Sequence, residues 1–245
     1  MGLFDIFKKK KEEVLDINEY YKRIISNENN PYGFEEKYAN QEEILFKMFG
    51  HCDQFLKHIK MIIVTDTHNM LDEDKFREFV RMHPNYDVCF LLGDHSAEDI
   101  RKVLKYIDKD KIYGLLGNHD YETLFDEFGI RNINGDMINI NGVNILGIQG
   151  SYRYKPARFP SFSQRESIEF LNSKDKADIL VCHDNKFTTE NRGNPAHQGL
   201  FGITYYLYKN KVPYYIHGHI HEEYRNELIN GTKEISSYMY EYIEL

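Results

Sequence analysis

Short apolar runs recur along the chain from residue 61 onward, and each of them is followed by glycine or by a polar residue. Four or five consecutive apolar residues closed in this way are typical of a buried β-strand. The five predicted strands begin with Met61-Ile-Ile-Val, Val88-Cys-Phe-Leu, Ile112-Tyr-Gly-Leu, Ile179-Leu-Val-Cys and Tyr214-Tyr-Ile. The pattern predicts a core built on β-sheet.

Helical periodicity separates the first of these strands. Residues 72–83 and 96–107 both place apolar side chains at helical spacing, which predicts a helix between each pair of strands. A strand, a helix and a second strand in succession form a right-handed crossover between parallel strands. We therefore expect the first three strands to lie parallel to one another in one sheet.

Later in the chain, the pattern changes to hairpins. Asn141-Gly142 and Asn230-Gly231 each connect two strand-like segments, which is the strongest short signal for a β-hairpin. Between them, Ser163-Gln-Arg-Glu166 is a capping box and predicts a helix that runs to about Asn172. This mixture predicts an α/β fold in which two sheets pack face to face, with helices outside.

The segment before the first strand has a different pattern. It is mostly helical, with a break at residues 27–33, and residues 41–58 predict one amphipathic helix. Its first eleven residues fit neither a signal peptide nor a myristoylation site, which leaves an interfacial anchor or a terminus without a membrane role. We interpret residues 1–59 as an accessory, mainly helical extension and residues 60–245 as the main domain.

Composition narrows the class of protein. The length of 245 residues permits one α/β domain with an extension, and the net charge of -8 provides no overall basic field for nucleic acid. No apolar stretch approaches the roughly 20 residues of a membrane-spanning helix. The three cysteines form no CxxC pair, so we expect free thiols and a reducing, cytoplasmic location.

The candidate chemistry lies at the ends of the predicted strands. The carboxyl ends of strands in an open α/β sheet converge on one crevice. The side chains found there are two carboxylates, one amide and four imidazoles, a set that suits two divalent ions. They are Asp66, His68, Asp94, Asn118, His183, His219 and His221.

These motifs resemble those of the calcineurin-like metallophosphoesterase superfamily, in its bacterial or phage, phosphodiesterase-like branch. The resemblance covers roughly residues 60–245 and rests on five motifs in the family's order. They are Asp66-x-His68, Gly93-Asp94, Gly117-Asn118-His119-Asp120, a strand-end His183 and Gly218-His219-x-His221. It implies a four-layer αββα sandwich of two mixed β-sheets.

The resemblance also implies a division of the ligands between two metal ions. Asp66, His68 and His221 would hold one ion, Asn118, His183 and His219 would hold the other, and Asp94 would bridge them. Because no cysteine is among these ligands, Mn²⁺ or Fe²⁺ suits the set better than a soft metal, and Zn²⁺ or Ni²⁺ stay as alternatives.

The implied reaction is phosphoester hydrolysis. A hydroxide that bridges the ions would attack phosphorus, Asn118 would stabilise charge on the phosphoryl oxygens, and His119 would protonate the leaving oxygen. Many family members carry an aspartate three residues after the bridging one, and it orients this histidine. Ala97 stands at that position here and Glu98 and Asp99 follow, so one of these carboxylates, water or the backbone would have to orient His119.

The motifs also bear on the substrate. Asp120 follows Asn118-His119 where protein phosphatases of the family usually have Glu, which favours a phosphodiester in a small molecule or nucleotide. The alternatives are a nuclease, disfavoured by the acidic charge, a phosphomonoesterase for proteins or small molecules, and, least favoured, a metal-binding interaction scaffold. His197 and Arg192, in the long polar loop after His183, are candidate substrate contacts. The oligomeric state stays open.

Overall fold

The computed structural model describes residues 41–155, 160–188 and 194–245, which form two large β-sheets with helices outside them. The helices are α1 (Gln41–Phe49), α2 (Glu73–Met82), α3 (Ala97–Leu104), α4 (Gln164–Asn172) and α5 (Phe201–Lys209). The strands are β1 (Lys60–Thr65), β2 (Val88–Leu91), β3 (Ile112–Gly114), β4 (Arg131–Asn132), β5 (Met137–Ile140), β6 (Val143–Ile148), β7 (Ser151–Tyr152), β8 (Ser161–Phe162), β9 (Ile179–Cys182), β10 (Tyr214–His217), β11 (Tyr224–Glu227), β12 (Lys233–Ser236) and β13 (Met239–Glu244).

The first sheet has five strands in the order β13-β1-β2-β3-β4. Strands β1 to β4 are parallel, as predicted for the first three, and β13 runs antiparallel to β1 with Lys60 opposite Glu244. Backbone hydrogen bonds of 2.9 Å and 3.0 Å between Ile59 and Leu245 extend this pairing by one residue. The sheet is therefore mixed only at the edge that β13 forms.

The second sheet has six strands in the order β11-β12-β10-β9-β6-β5. Its four central strands are parallel, and hairpins supply the two antiparallel edges. Both hairpins lie where the Asn-Gly pairs predicted them. Asn141 and Gly142 have φ values of 51° and 83°, the left-handed conformations that a two-residue turn of this kind requires.

Three clusters of buried side chains define four layers. The strand residues that face between the sheets, such as Ile63 and Val181, form one cluster. A second cluster lies between the first sheet and helices α2 and α3 and includes Phe76 and Ile100. The third lies between the second sheet and helices α4 and α5 and includes Tyr206. This arrangement confirms the predicted mixed α/β sandwich, with helices on both outer faces.

Local signals in the sequence account for the starts of three helices. Asp72 and Ser96 accept hydrogen bonds from the amides of Lys75 and Asp99 and so cap α2 and α3. The predicted capping box of α4 is formed in both directions between Ser163 and Glu166. These helices agree with the predicted ones to within three residues at each end.

The prediction of one helix over residues 41–58 was wrong, because α1 ends at Phe49. Gly50 follows with a φ of 75°, and its amide donates to the carbonyl of Phe46 at 2.8 Å. A glycine in the left-handed conformation ends a helix in this way. The predicted helical pattern before residue 41 lies outside the described residues.

Helix α1 packs on α5 through its apolar face. Leu45 is fully buried in the cluster between the second sheet and its helices. Glu42 accepts a hydrogen bond of 2.7 Å from the hydroxyl of Tyr208. The segment after Gly50 has no helix or strand before β1, and Leu56 there is 88 % exposed. Of the extension, α1 therefore belongs to the packed core, as does Ile59, which directly precedes β1.

All three cysteines lie among the described residues. Cys52, Cys89 and Cys182 are free thiols, as predicted, and the last two are buried within strands. Burial raises the pKa of both buried thiols above the usual range, so they behave as small apolar side chains. None of the helices in the described ranges has the length and apolar character needed to cross a membrane.

Replacing Leu45 with alanine should lower the free energy of unfolding by about 2–5 kcal/mol, the usual cost of a cavity in a packed core. Denaturant titration followed by circular dichroism measures this loss. Leu56→Ala is the matched control and should change the free energy by less than about 0.5 kcal/mol, because that side chain is exposed. Equal stabilities of the two variants would show that α1 does not belong to the core.

Candidate metal centre

Both sheets place the ends of their parallel strands at one crevice. Within the first sheet, the amide of Asp66 donates to the carbonyl of Gly93 at 2.9 Å. Between the sheets, the amide of His219 donates to Asp66 Oδ2 at 2.8 Å, and His183 Nδ1 lies 2.7 Å from the carbonyl oxygen of Leu92. Contacts to side chains of the predicted site therefore join the two sheets.

One group of potential metal ligands consists of Asp66, His68 and His221. Nε2 of His221 lies 3.4 Å from Asp66 Oδ1 and 3.2 Å from Nε2 of His68. Asp66 is buried, His68 is half-buried and His221 is exposed, so this group opens toward solvent. A substrate can therefore approach the crevice from the side of the two histidines.

The second group consists of Asp94, His183 and His219, and all three residues are buried. Nε2 of His183 lies 3.6 Å from Asp94 Oδ2 and 3.0 Å from Oδ1 of Asn118. The predicted amide ligand therefore joins this group.

Asp94 lies between the two groups. Its Oδ2 is 3.6 Å from Nε2 of His68 and equally 3.6 Å from Nε2 of His183. Its Oδ1 accepts a hydrogen bond of 2.8 Å from the amide of His119, which holds the carboxylate in place. One oxygen of this side chain thus faces an imidazole of each group.

The spacing of these atoms fits divalent cations. Two atoms that bind one ion at about 2.1 Å lie about 3–3.5 Å apart at tetrahedral or octahedral angles. The separations within and between the groups lie at or close to this range. In addition, Oδ1 of Asp66 is buried and has no hydrogen-bond partner, which leaves a negative oxygen that a cation would satisfy.

Hydrogen bonds to carbonyl oxygens set the tautomers of two of the imidazoles. A carbonyl only accepts, so His183 carries its proton on Nδ1, toward Leu92, and presents a lone pair on Nε2. His219 donates from Nε2 to the carbonyl of Ala196 at 2.8 Å and is left with its lone pair on Nδ1. Such a bond on the opposite ring nitrogen orients a metal-binding histidine.

For His219 and Asp66, burial and charge favour the protonation states that metal binding requires. Burial lowers the pKa of His219 to about 4, so its ring is neutral at neutral pH. Burial by itself would raise the pKa of Asp66, but the contacts with His221 and His183 outweigh it and hold the pKa below its usual range. A neutral imidazole and an ionised carboxylate are the forms that bind metal ions.

The backbone at the site is left-handed at five of the predicted ligands. Their φ values are Asp66 52°, His68 43°, Asp94 58°, His219 70° and His221 58°. Both members of the Asp66-x-His68 pair and of the His219-x-His221 pair are therefore left-handed rather than extended. Non-glycine residues seldom adopt positive φ, and such strain is concentrated at functional sites.

At two glycines of the motifs, a side chain would collide with a buried carboxylate. A Cβ atom on Gly117 would lie 2.1 Å from Asp94 Oδ1, and one on Gly218 would lie 2.4 Å from Asp66 Oδ2. Both carboxylates therefore rest directly against a backbone that carries no side chain.

Three motif neighbours of the ligands have structural partners. His95 Nδ1 is 2.9 Å from the hydroxyl of Thr67, and His217 Nε2 is 3.5 Å from Glu234, so both rings make contacts outside the ligand groups. Asp120 accepts hydrogen bonds of 2.7–2.9 Å from the amides of Gly117, Asp94 and His95. It holds two of the motif loops together, as expected for a turn residue.

His119 lies at the solvent side of the site. Its ring is exposed, its centroid is 5.6 Å from that of His68, and no hydrogen bond joins the ring to the part of the chain that the structure describes. Neither candidate carboxylate orients it. Glu98 pairs with Arg101, and Asp99 is buried against the amide of Leu71 at 3.2 Å.

Of the two predicted substrate contacts, His197 is described by the structure and Arg192 is not. The ring centroid of His197 lies 5.1 Å from that of His219, so the structure brings His197 to the rim of the site. Arg192 lies outside the described residues.

The sequence analysis missed Asp184. This residue is fully buried, accepts hydrogen bonds of 2.8 Å from the amides of Tyr152 and Asn185, and lies 3.7 Å from Nε2 of His219. Burial raises its pKa to about 7. A charged residue directly after His183, at the end of a buried strand, was the available signal.

A match between the sequence and a known protein family identifies the family to which this site belongs. The model of the calcineurin-like phosphoesterases matches residues 59–223, which is more than half of the chain. The chain belongs to the calcineurin-like phosphoesterase family. It is accordingly a hydrolase of phosphate ester bonds that depends on divalent metal ions, and the two groups of ligands are where this phosphoesterase can hold them. No curated protein matches the sequence.

Solved structures share the fold at low sequence identity. One crystal structure superposes with a TM-score of 0.58 at 11 % identity, over 77 % of this phosphoesterase and 95 % of that chain. The phosphopantetheinyl hydrolase PptH from Mycobacterium tuberculosis gives a TM-score of 0.54 at 13 % identity, over 73 % and 89 %. A dimetal phosphatase from Danio rerio gives 0.48 at 10 % identity, over 75 % and 91 %. The first two likenesses support the fold.

Proposed function

We propose that this protein hydrolyses a phosphodiester in a small molecule or nucleotide at a binuclear metal centre. The observation that carries the proposal is the position of Asp94 Oδ2, 3.6 Å from an imidazole of each ligand group. A carboxylate between two groups of ligands can bind two ions at once, about 3.5–4 Å apart.

In this proposal the ligands divide by their spatial grouping. The more exposed ion would be held by Asp66, His68 and His221, and the buried one by Asn118, His183 and His219. Oxygen and imidazole donors without thiolate favour Mn²⁺ or Fe²⁺, and Zn²⁺ or Ni²⁺ are the alternatives that metal analysis distinguishes. Bound there, two divalent ions would acidify a water molecule and neutralise charge on the phosphoryl group.

The protein's own side chains supply the remaining steps. The amide of Asn118 orients a phosphoryl oxygen and stabilises the charge that develops on it. The exposed ring of His119 donates a proton from a ring nitrogen to the leaving oxygen. His197, at the rim of the site, contacts the substrate, and Arg192 stays a candidate for a second contact.

The preference for a diester rests on residues that differ from the protein phosphatases of the family. Asp120 follows the Asn-His pair, and His95-Ser96-Ala97 follows the bridging aspartate in place of Asp-Arg-Gly. The net charge of -8 disfavours nucleic acid as a substrate. All seven ligand positions are filled, which argues against a scaffold that has lost catalysis.

We also propose the limits of the protein's domains and the compartment in which it acts. We assign residues 60–245 to the metallophosphoesterase domain and residues 1–59 to an accessory extension. The free thiols of Cys52, Cys89 and Cys182 support a reducing compartment, and the cytoplasm is the proposed location.

With added Mn²⁺, the purified protein should hydrolyse bis-p-nitrophenyl phosphate faster than p-nitrophenyl phosphate, because the site is proposed to accept a diester. Turnover of both compounds, of cyclic nucleotides and of single-stranded DNA should be measured with each candidate metal. Faster monoester hydrolysis would make the protein a monoesterase, and preferential DNA cleavage would make it a nuclease. A metal-loaded protein without any turnover would be a scaffold.

Asp94→Asn should lose more metal than any single histidine variant, because both ions share the Asp94 carboxylate. Elemental analysis should give close to two ions per chain for the unmodified protein and about one or fewer for this variant. Asp136→Asn, at an exposed aspartate paired with Arg131, is the matched control and should keep both ions. An Asp94→Asn protein that still holds two ions would rule out the bridging role.

His119→Asn should keep its metals but lose roughly 10²–10⁴ in kcat, the usual contribution of a general acid. The loss should be smaller for esters with good leaving groups such as p-nitrophenolate, which need little protonation. A series of substrates with graded leaving-group pKa, measured beside the exposed control His58→Asn, tests this. The same loss for every leaving group would assign His119 to positioning or electrostatic stabilisation instead.

A further inference from the structure

His221 is the exposed member of its ligand group, and its ring lacks the support that the two buried imidazoles have. His183 and His219 each bond through one ring nitrogen to a main-chain carbonyl. Nε2 of His221 faces Asp66 and His68, but its Nδ1 has no hydrogen-bond partner within the part of the chain that the structure describes. Because an exposed ring without such a bond can change rotamer, another contact has to hold Nε2 toward the site.

The ring of Tyr238 provides such a contact. It stacks on the imidazole of His221 with ring centroids 5.4 Å apart and planes inclined by 26°. This separation lies within the 4.5–7 Å typical of stabilising aromatic pairs. His68 in turn meets the ring of His221 edge-on, with centroids 5.0 Å apart and planes at 67°. Tyr238 therefore supports one ligand directly and a second ligand through the first.

The backbone on both sides of Tyr238 is fixed to strands that lead to ligands. The amide of Ser237 donates to the carbonyl of His217, at the end of β10, at 2.8 Å. Met239 pairs with Thr65, the last residue of β1. Tyr238 thus lies in the connection that passes from β12 in the second sheet to β13 in the first. Both sheets determine its position.

The chain next to each ring is also held in place. The hydroxyl of Ser236 donates to the carbonyl of Glu222, which directly follows His221, at 2.7 Å. Met239, directly after Tyr238, has a φ of 60°, a conformation that non-glycine residues adopt mainly where tertiary contacts impose it. The two rings therefore meet on a backbone that is fixed beside both of them.

We propose that Tyr238 is a positioning residue for the more exposed metal ion. Its ring holds the imidazole of His221 in the orientation in which Nε2 can bind that ion. The inference rests on the proposed binuclear centre and names a residue on which one of its two ions depends. Tyr238 follows residue 223, where the family match ends, so the match itself does not include it.

The test measures the affinity for each ion. Equilibrium dialysis of the full-length protein against a series of free Mn²⁺ concentrations, with elemental analysis of the bound manganese, gives two values of Kd. His221→Ala should abolish the binding step of the exposed ion and so identifies it. Tyr238→Ala should raise the Kd of that step about two- to tenfold, the contribution of one aromatic stack, and leave the other Kd unchanged. Tyr238→Phe keeps the ring and should bind both ions as the unmodified protein does.

The same strand offers a matched control. Tyr242 stacks on His83, which is not one of the predicted ligands, with ring centroids 4.3 Å apart and planes inclined by 12°. Tyr242→Ala removes a tyrosine from a stack on histidine, as Tyr238→Ala does, and should leave both Kd values unchanged. The midpoint of thermal unfolding, measured for every variant, shows whether a change in Kd accompanies a loss of the fold.

The possible failures are distinguishable. If the unmodified protein binds one ion or none, the proposed binuclear centre fails. If two ions bind and Tyr238→Ala changes neither Kd, the centre stands and the positioning role is wrong. Equal weakening of both ions would assign Tyr238 a general structural role, and a Tyr238→Phe variant as weak as Tyr238→Ala would assign the effect to the hydroxyl. Either result would overturn the inference.

Discussion

Two carboxylates are buried at the crevice between the sheets, and much of the local structure depends on the requirement that hydrogen bonds satisfy them. Asp66 is 0 % exposed and Asp94 is 2 % exposed. An ionised carboxylate costs several kcal/mol to bury unless hydrogen bonds and opposite charges offset that cost. Here main-chain amides from His219 and His119 donate to these oxygens. The loops that supply the amides must follow one particular path, so the charge and the backbone specify each other.

The same requirement explains why strain is tolerated at this edge of the sheets. Each left-handed non-glycine residue costs on the order of 1–3 kcal/mol, and the surrounding structure has to over-determine it. The ladders of parallel strands on both sides provide that rigidity, and Gly117 and Gly218 leave room for the carboxylates. The protein itself thereby holds the predicted ligand side chains in position. A preorganised site of this kind loses little free energy to rearrangement when it binds its metals.

The sequence predicted five of the strands, both hairpins and the approach of seven side chains, because each of these follows from a local pattern. Apolar runs, Asn-Gly pairs and polar strand ends act within a few residues. The end of α1 at Gly50 was missed, because one glycine inside an apolar periodic segment is a weak signal. The left-handed conformation of Asp66 and His68 was missed because tertiary contacts impose it.

The position of β13 has a consequence for the design of shorter fragments. The family match ends at residue 223, yet β12 and β13 follow it and cover the sides of β10 and β1. A fragment trimmed to the matched region would turn both of these strands into open sheet edges, beside Asp66 and His219. Unpaired edges recruit strands from other molecules. The region that a family model recognises is therefore shorter than the unit that can stay soluble, and expression boundaries should follow the sheets.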